Sequence, residues 1–570
     1  MIEEVKIKNF KRFSDETLET HGNIVLSGPN NSGKSTLLQA IAVWNLALTK
    51  WLAERGRGSG STAKKRTGVP ITRKDFTAIP LREMKLLWTD CSTSLHKDEL
   101  AGEQKLGTNR VMEISISATT ASGSWTLPFQ FTYQSPELVY AKPSPAGVED
   151  RVMDAARELG VVHVPPFSGI GAEETRIDRP YQDLLVGQGK SGEIIRNLLL
   201  EICEQKSKDR WDKLRADIKD IFSYELLDPQ YGGPFILCQY RPDKSVLTLG
   251  RSTPPLDISS AGSGFLQVLM LLGFFYARPA TVLLLDEPDA HLHVILQSQI
   301  YDRLREVAAE QKAQLMIATH SEVLIENTSP GSILSFYQRP HRLMQETQRD
   351  TVREALRRLT SMEVVRADQS PAILYTEDES DLKILREWAV LLGHPVQSFL
   401  DEPFVNPIRG RNPREAKAHF FALSAIKPDM RGVLLLHGDN RSLLDHDVTD
   451  EGLVVLRWKR YEIESYLINA AVLERFLRQR VEPLFVSSAM EFLGNELPPA
   501  VLRDPMSDHE FLDRLPASKT LLPAFFDKAG LNLSKKEYYL VAREMRRDEL
   551  PSEIQQKLDV IRSVVNPGAG

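Results

Sequence analysis

The run Gly28-Pro-Asn-Asn-Ser-Gly33-Lys34-Ser35 constrains this chain more than any other stretch. The apolar run NIVLSG leads into it, and STLLQAIAVWNLAL, apolar at helical spacing, leads out. The motif therefore reads as strand, tight glycine turn and helix start. Such a turn aims backbone N–H groups and the positive end of a helix at one spot, which suits phosphate. Gly28, Asn30, Asn31, Ser32 and Gly33 form the cradle, and Lys34 is placed to bridge β- and γ-oxygens. Ser35 and Thr36 follow at the helix start, with Ser35 as a Mg²⁺ ligand. ATP and Mg²⁺ are the expected cofactors. A glycine-rich turn with a surface lysine is the bland alternative, and the strand-turn-helix context argues against it.

Two later strand ends extend this reading. Thr281-Val-Leu-Leu-Leu runs into Asp286 and Glu287. Asp286 suits the Mg²⁺ shell, and Glu287 suits orienting or deprotonating an attacking water. The strand QLMIAT ends at His320, where a side chain can sense a γ-phosphate. His291 and His293 follow the carboxylate turn without a third ligand nearby, so packing or a subunit contact is expected of them. The formal charge of −6 on 570 residues excludes a bulk polycation, so any nucleic-acid contact must rest on a local patch. Cys91, Cys203 and Cys238 are too few and too scattered for a disulfide framework or a cysteine-pair zinc site. No long uninterrupted apolar run or secretion signal is visible, so no membrane and a cytoplasmic location are expected. Residues 55–70, rich in Gly, Ser and basic residues, read as a mobile loop.

A boundary near Asp368 to Pro371 introduces a second strand-helix-strand pattern: AILYTE, SDLKILREWAVLL, GVLLLHGD and LVVLRW. Glu377 and Asp381, then Asp439, then Glu462 and Glu464 stand at successive strand ends, which converge on one edge of a parallel sheet. Hard oxygen ligands there suit Mg²⁺ or Mn²⁺ and phosphodiester cleavage. Solvated acidic strand ends capping helices remain the alternative. Arg409, Arg411, Arg414 and Lys417 read as a phosphate-contacting loop. Beyond Asn469 the pattern is mainly helical, with a frayed end.

On the opening KIKNFKRF, the loop GPNNSGKSTLLQAI, the run LLLLDEPDAHLH, the switch ATHS and the degenerate signature Ser259 to Gln267, the first part resembles the ABC-type ATPases of the SMC, RecF and overcoming-lysogenization-defect (OLD) group. The resemblance implies ATP sandwiched head to tail between two copies, with Ser263 and Gly264 of one touching the γ-phosphate of the other. A homodimer or higher homo-oligomer through the ATPase domains follows, and Gln134 is a candidate for the family's glutamine loop, with a strand-edge residue the favoured reading of that position. The later part is similar to a TOPRIM domain, as found fused to OLD-type ATPases and in phage-defence systems such as Gabija and PARIS. Glu377 matches the catalytic glutamate and Asp381 the acidic residue four positions on, while Asp378 stands where glycine is usual. His437-Gly438-Asp439 stands where Asp-x-Asp is usual, and a neutral imidazole is a poorer ligand for a hard cation.

The expected organisation is α/β throughout: an ABC-type P-loop ATPase with β-rich and helical insertions over 1–365, a TOPRIM-like domain over 366–470, and a helical region over 471–570. The expected function is an ATP-hydrolysing bacterial anti-phage protein. Its ATPase dimer would gate a Mg²⁺ or Mn²⁺ nuclease working through Glu377, Asp439 and Glu462 or Glu464, with nucleic acid as partner. Two alternatives stay open. One is an ATPase whose inactive TOPRIM part holds a separate toxin or nuclease; the other is a RecF-like DNA-repair ATPase.

Overall fold

The computed structural model describes residues 1–55, 68–76, 79–94, 109–144, 150–243, 253–278, 280–337, 339–408, 413–439, 448–450 and 452–566. Most of the loop expected at 55–70, and Arg409 and Arg411 of the basic run, lie outside these residues. The chain divides into two compact units, Met1–Arg357 and Arg358–Gly570.

The first unit is built on two six-stranded sheets, with a two-stranded and a three-stranded sheet beside them among the described residues. Ile2–Phe10, Phe13–Glu19, Met112–Thr120, Gly123–Ser135, Leu138–Pro143 and Val69–Thr72 form an antiparallel sheet, whose alternating sequence reflects one face packed inward. The other sheet runs His341–Arg342, Ile333–Ser335, Ile24–Ser27, Gln314–Thr319, Val282–Asp286, Val161–Val164 across its width. All but the first of these strands are parallel. Val282–Asp286 and Gln314–Thr319 are buried at every position, which is why they read as unbroken apolar runs.

Helix Lys34–Arg55 shares one core with both sheets and is apolar around most of its circumference, as a helix enclosed on several sides must be. Trp44 fixes it: its indole N–H donates to Leu127 O at 2.8 Å and its ring stacks on Trp125 at 5.9 Å between centroids. A second fastening comes from buried Gln314. Its Oε1 accepts from Ile2 N at 2.7 Å, and its Nε2 lies 2.9, 2.6 and 2.8 Å from the carbonyls of Ile2, Thr20 and Gly22. One side chain of the parallel sheet thus closes the backbone valences at the start of the antiparallel one. Helix Ser263–Ala277, apolar nearly all round, packs on helices Ile195–Cys203 and Asp209–Phe222.

The second unit carries the sheet Phe404–Pro407, Ala372–Thr376, Arg431–Leu436, Leu453–Arg457, all parallel, edged by the antiparallel Val448–Asp450. The chain leaves Ala372–Thr376 for one side, forms Phe404–Pro407, then returns past it to form Arg431–Leu436. That reversal opens a crevice at the carboxyl ends of Ala372–Thr376 and Arg431–Leu436, where α/β sheets bind ligands. The helices after Asn469 are no separate body: Phe476, Phe525, Tyr538 and Leu558 share one core with Leu374, Trp388 and Leu456. Among the described residues no helix is long and apolar enough to cross a membrane.

Replacing Gln314 by leucine keeps the volume and strands three buried backbone groups and one half-buried one, so the first unit is expected to lose about 3 kcal/mol of stability. Urea unfolding followed by tryptophan fluorescence measures this, and an unshifted transition would contradict the role given to Gln314.

Candidate functional site

In the first unit, strand Ile24–Ser27 delivers the glycine turn and helix Lys34–Arg55 starts at its end. Gly33 has φ +113°, and a Cβ there would lie 2.8 Å from Phe13 Cζ, so only glycine fits. Asn30 and Asn31 are exposed at the lip of the turn, Asn31 with φ +60°; Ser32 N donates to Pro29 O at 3.2 Å, and Thr36 is half-buried in the first helical turn. Lys34 is buried, and its Nζ donates to Gly28 O at 2.8 Å, Pro29 O at 2.9 Å and His320 Nε2 at 2.9 Å. Burial holds the Lys34 ammonium down at about 8. Burial, reinforced by Lys34, holds His320 down at about 4, so its ring is neutral and Nε2 accepts.

Ser35 Oγ donates to Asp286 Oδ1 at 2.8 Å. Burial lifts the Asp286 carboxyl to about 6. A hydroxyl beside a carboxylate is a hard oxygen set of the kind that holds Mg²⁺, so the residues present fit that ion. Glu287 follows in left-handed backbone, φ +51°, with its amide donating to Ala318 O at 2.9 Å and its Oε1 3.7 Å from His320 Nε2. Lys34, Ser35, Asp286, Glu287 and His320, expected from three separate motifs, thus form one connected group. Ser263 and Gly264 are outside it. Ser263 opens its helix exposed, and Gly264 packs near His291 O and Leu292 Cδ2, both 3.5 Å from where its Cβ would stand. His291 and His293 are exposed, His293 at the N-cap of helix Val294–Glu310.

The sequence reading missed Lys11, Asp289, Gln297 and Thr319. Lys11 Nζ donates to Gln39 Oε1 at 2.6 Å, and burial holds it down at about 8 against the pull of Asp286. Its signal was present in KIKNFKRF, where a lysine with φ +49° takes the turn between two strands. Thr319 Oγ1 donates to Asp289 Oδ1 at 2.6 Å, a contact that nothing in the spacing announces.

In the second unit the acidic strand ends meet at the crevice. Asp381, His437 and Glu464 each bring one ligand atom within 4.8 Å of the others. Glu377 Oε1 accepts from His437 N at 2.8 Å. Gly438 is forced: a Cβ there would lie 2.2 Å from Arg460 O. Asp439 N donates to Tyr461 O at 3.2 Å, at the next step of the same turn. Glu462 is occupied elsewhere, accepting from Ser518 N and Ser518 Oγ, so Glu464 is the member of the pair that joins the cluster. Burial raises both Glu377 and Glu464 above the ordinary carboxylate range.

Two cations stand inside this acidic group. His437 lies with Nδ1 3.3 Å from Glu377 Oε2 and Nε2 3.3 Å from Asp381 Oδ2. Burial alone would lower its pKa, but Asp381, Glu377 and Glu464 raise it to about 9. The surrounding carboxylates thus favour the imidazolium over the neutral imidazole expected from the sequence. Lys535, from the helical region, sets Nζ 2.7 Å from Asp378 Oδ2 and 3.3 Å from Glu464 Oε1. Asp381 Oδ1 and Glu464 Oε2 are buried yet accept no hydrogen bond, so a divalent cation fits that side of the group.

Since the Asp286 carboxyl sits at about 6, its ligating form is lost as pH falls through that value. Below it, Mg²⁺-dependent ATP affinity is expected to weaken by roughly tenfold per pH unit, and much less in Asp286→Asn. Calorimetric titration across pH 5 to 8 measures this; parallel profiles for the two proteins would contradict it.

A family profile described as "AAA ATPase domain" matches residues 1–65, the part that carries the glycine turn. A second, described as "AAA domain, putative AbiEii toxin, Type IV TA system", matches residues 150–326, which include Ser263, Asp286, Glu287 and His320. No curated protein sequence matches the chain. Among solved structures, an SMC head bound to the C-terminal winged-helix domain of ScpA aligns with TM-score 0.33 and 16% identity, over 59% of this chain and 93% of that one. The SMC head domain from Thermotoga maritima aligns with TM-score 0.32 and 14% identity, over 59% and 94%. An SMC head from Pyrococcus furiosus aligns with TM-score 0.33 and 13% identity, over 59% and 92%. Both profile matches fall within the first unit, which over those residues is similar to ATPase domains of the AAA type.

Proposed function

We propose that this chain is an ATP-hydrolysing phage-defence protein whose ATPase dimer gates a metal-dependent nuclease site in its second unit. The observation that carries the ATPase part is the meeting of Lys34, Ser35, Asp286, Glu287 and His320 around one half-buried hydroxyl–carboxylate bond. Lys34 leaves the loop carbonyls for the β- and γ-oxygens. Ser35 and Asp286 would hold Mg²⁺, which would supply charge neutralisation at the phosphates. Glu287 orients the water that adds to the γ-phosphorus as the β–γ bridging oxygen departs with ADP. His320, neutral and already beside Lys34, contacts the γ-phosphate.

A second copy is proposed to complete this site with Ser263 and Gly264. Support comes from the exposure of Ser263 and from Val294 and Ile295, which stand 56% and 68% exposed in the first turn of the helix after the carboxylate loop. For the nuclease part, support comes from the carboxylates at the sheet crevice and from the buried oxygens of Asp381 and Glu464 that accept no hydrogen bond. Defence draws support from the profile described as a putative toxin of a type IV toxin–antitoxin system. The imidazolium of His437 and the ammonium of Lys535 favour a second reading. There the internal cations replace metal charge, and the second unit restrains a separate toxin or nuclease instead of cutting.

Purified protein is incubated with plasmid DNA and with RNA, with Mg²⁺ or Mn²⁺, with and without ATP. Phosphate release is followed in parallel for wild type, Lys34→Ala, Glu287→Gln, Glu377→Ala and His437→Asp. The proposal expects ATP hydrolysis lost in Lys34→Ala and Glu287→Gln, and cleavage lost in Glu377→Ala. Intact nucleic acid under every condition, with ATP still hydrolysed, selects the restraining scaffold, and cutting gained in His437→Asp would assign the loss to that position. Absence of ATP hydrolysis in wild type sinks the whole reading. The dimer is tested separately: in a Glu287→Gln background, Ile295→Asp is expected to abolish ATP-dependent dimerisation by light scattering while nucleotide affinity is kept.

A further inference from the structure

The segment from Glu287 to His293 carries the proposed water-orienting carboxylate but belongs to no helix or strand. Glu287 and His291 both adopt left-handed backbone, φ +51° and +64°, which non-glycine residues hold only where their surroundings impose it. The side chains that impose it approach from two directions. Gln297 Nε2 donates to Leu292 O at 2.9 Å and lies 3.5 Å from Asp289 O, while Gln297 Oε1 accepts from Ser321 Oγ at 2.6 Å. Ser321 directly follows His320, and its amide donates at 2.8 Å to Thr319 Oγ1, the hydroxyl that holds Asp289. From the other direction comes Gln267, only 1% exposed, whose Nε2 donates to Pro288 O at 3.3 Å. Gln267 lies on the helix that begins at Ser263, and its Oε1 is buried without a hydrogen bond.

We infer that Gln297 and Gln267 are positioning residues for ATP hydrolysis: they hold the peptide beside Glu287 and couple it to the strand end at His320 and to the start of the Ser263 helix. An amide side chain suits the task because it donates at one end and accepts at the other, so it can tie a loop carbonyl to a hydroxyl across a gap. Displacement of Ser321, or of the helix start, moves Pro288 or Leu292 and with them the Glu287 carboxylate. Neither glutamine hydrogen-bonds Lys34, Ser35 or Asp286, so nucleotide binding stays separate from this control.

The inference rests on the ATPase reading, and its test separates the two. Full-length wild type, Gln297→Leu, Gln267→Leu and Ser321→Ala are compared for affinity toward a fluorescent ATP analogue with Mg²⁺ and for steady-state kcat and KM. The glutamine variants are expected to bind within about twofold of wild type and to lose at least about tenfold in kcat; a purely structural role would lower affinity, thermal transition and kcat together. Ser321→Ala is expected to lose kcat less, and the Gln297→Leu/Ser321→Ala double variant to lose no more than Gln297→Leu alone. Unchanged kcat, or additive losses, overturns the inference. If Gln297→Leu does not fold, Ser321→Ala and Gln267→Leu decide by the same criteria. Wild type that hydrolyses no ATP overturns the functional reading itself, whereas active wild type with fully active variants overturns this inference alone.

Discussion

The hydrogen bond from Ser35 to Asp286 joins residues 251 positions apart, and the rest of the first unit is arranged so that it can exist. Ser35 is the second residue of a helix enclosed by two sheets, and Asp286 ends a strand buried at every position. Neither can shift without disturbing close packing, so the bond has one geometry. Its low-dielectric setting has an electrostatic consequence: the carboxyl of Asp286 rises while the amine of Lys34 and the ring of His320 fall. A divalent cation and a polyphosphate reverse each of these shifts at once, which is the sense in which the site is built for such a ligand.

The acidic group of the second unit handles charge differently. Its carboxylates gather at a reversal point of the sheet, where the carboxyl ends of Ala372–Thr376 and Arg431–Leu436 part. It also holds cations of its own, His437 against Glu377 and Asp381, and Lys535 against Asp378 and Glu464. Buried like charges are tolerated only with compensation. Here the compensation is partial, since Asp381 Oδ1 and Glu464 Oε2 accept no hydrogen bond.

Strong local patterns were legible residue by residue. The glycine turn, the apolar strand ending in Asp286 and Glu287, and the strand ending at His320 each stand at the ends of the elements expected of them. Side chains whose roles depend on partners distant in sequence were not legible. Gln314 reads as the first residue of a strand until it is seen holding Ile2, Thr20 and Gly22; Gln297 reads as a helix residue until Ser321 is found beside it. Lys535 lies in a helical tail with no acidic motif near it in sequence, yet its amine reaches Glu464.

Sequence alone determined the chemistry of the strand ends, because residue type and period are local properties: which positions carry phosphate-cradling glycines, which carry carboxylates, and which face inward. Only the tertiary structure decided which of those groups meet. Glu464 turns into the acidic cluster while Glu462, two positions earlier, is taken up by Ser518. His437 becomes a cation because three carboxylates outweigh its burial. A charge state and a ligand set are sums over neighbours in space, and no spacing along the chain encodes that sum.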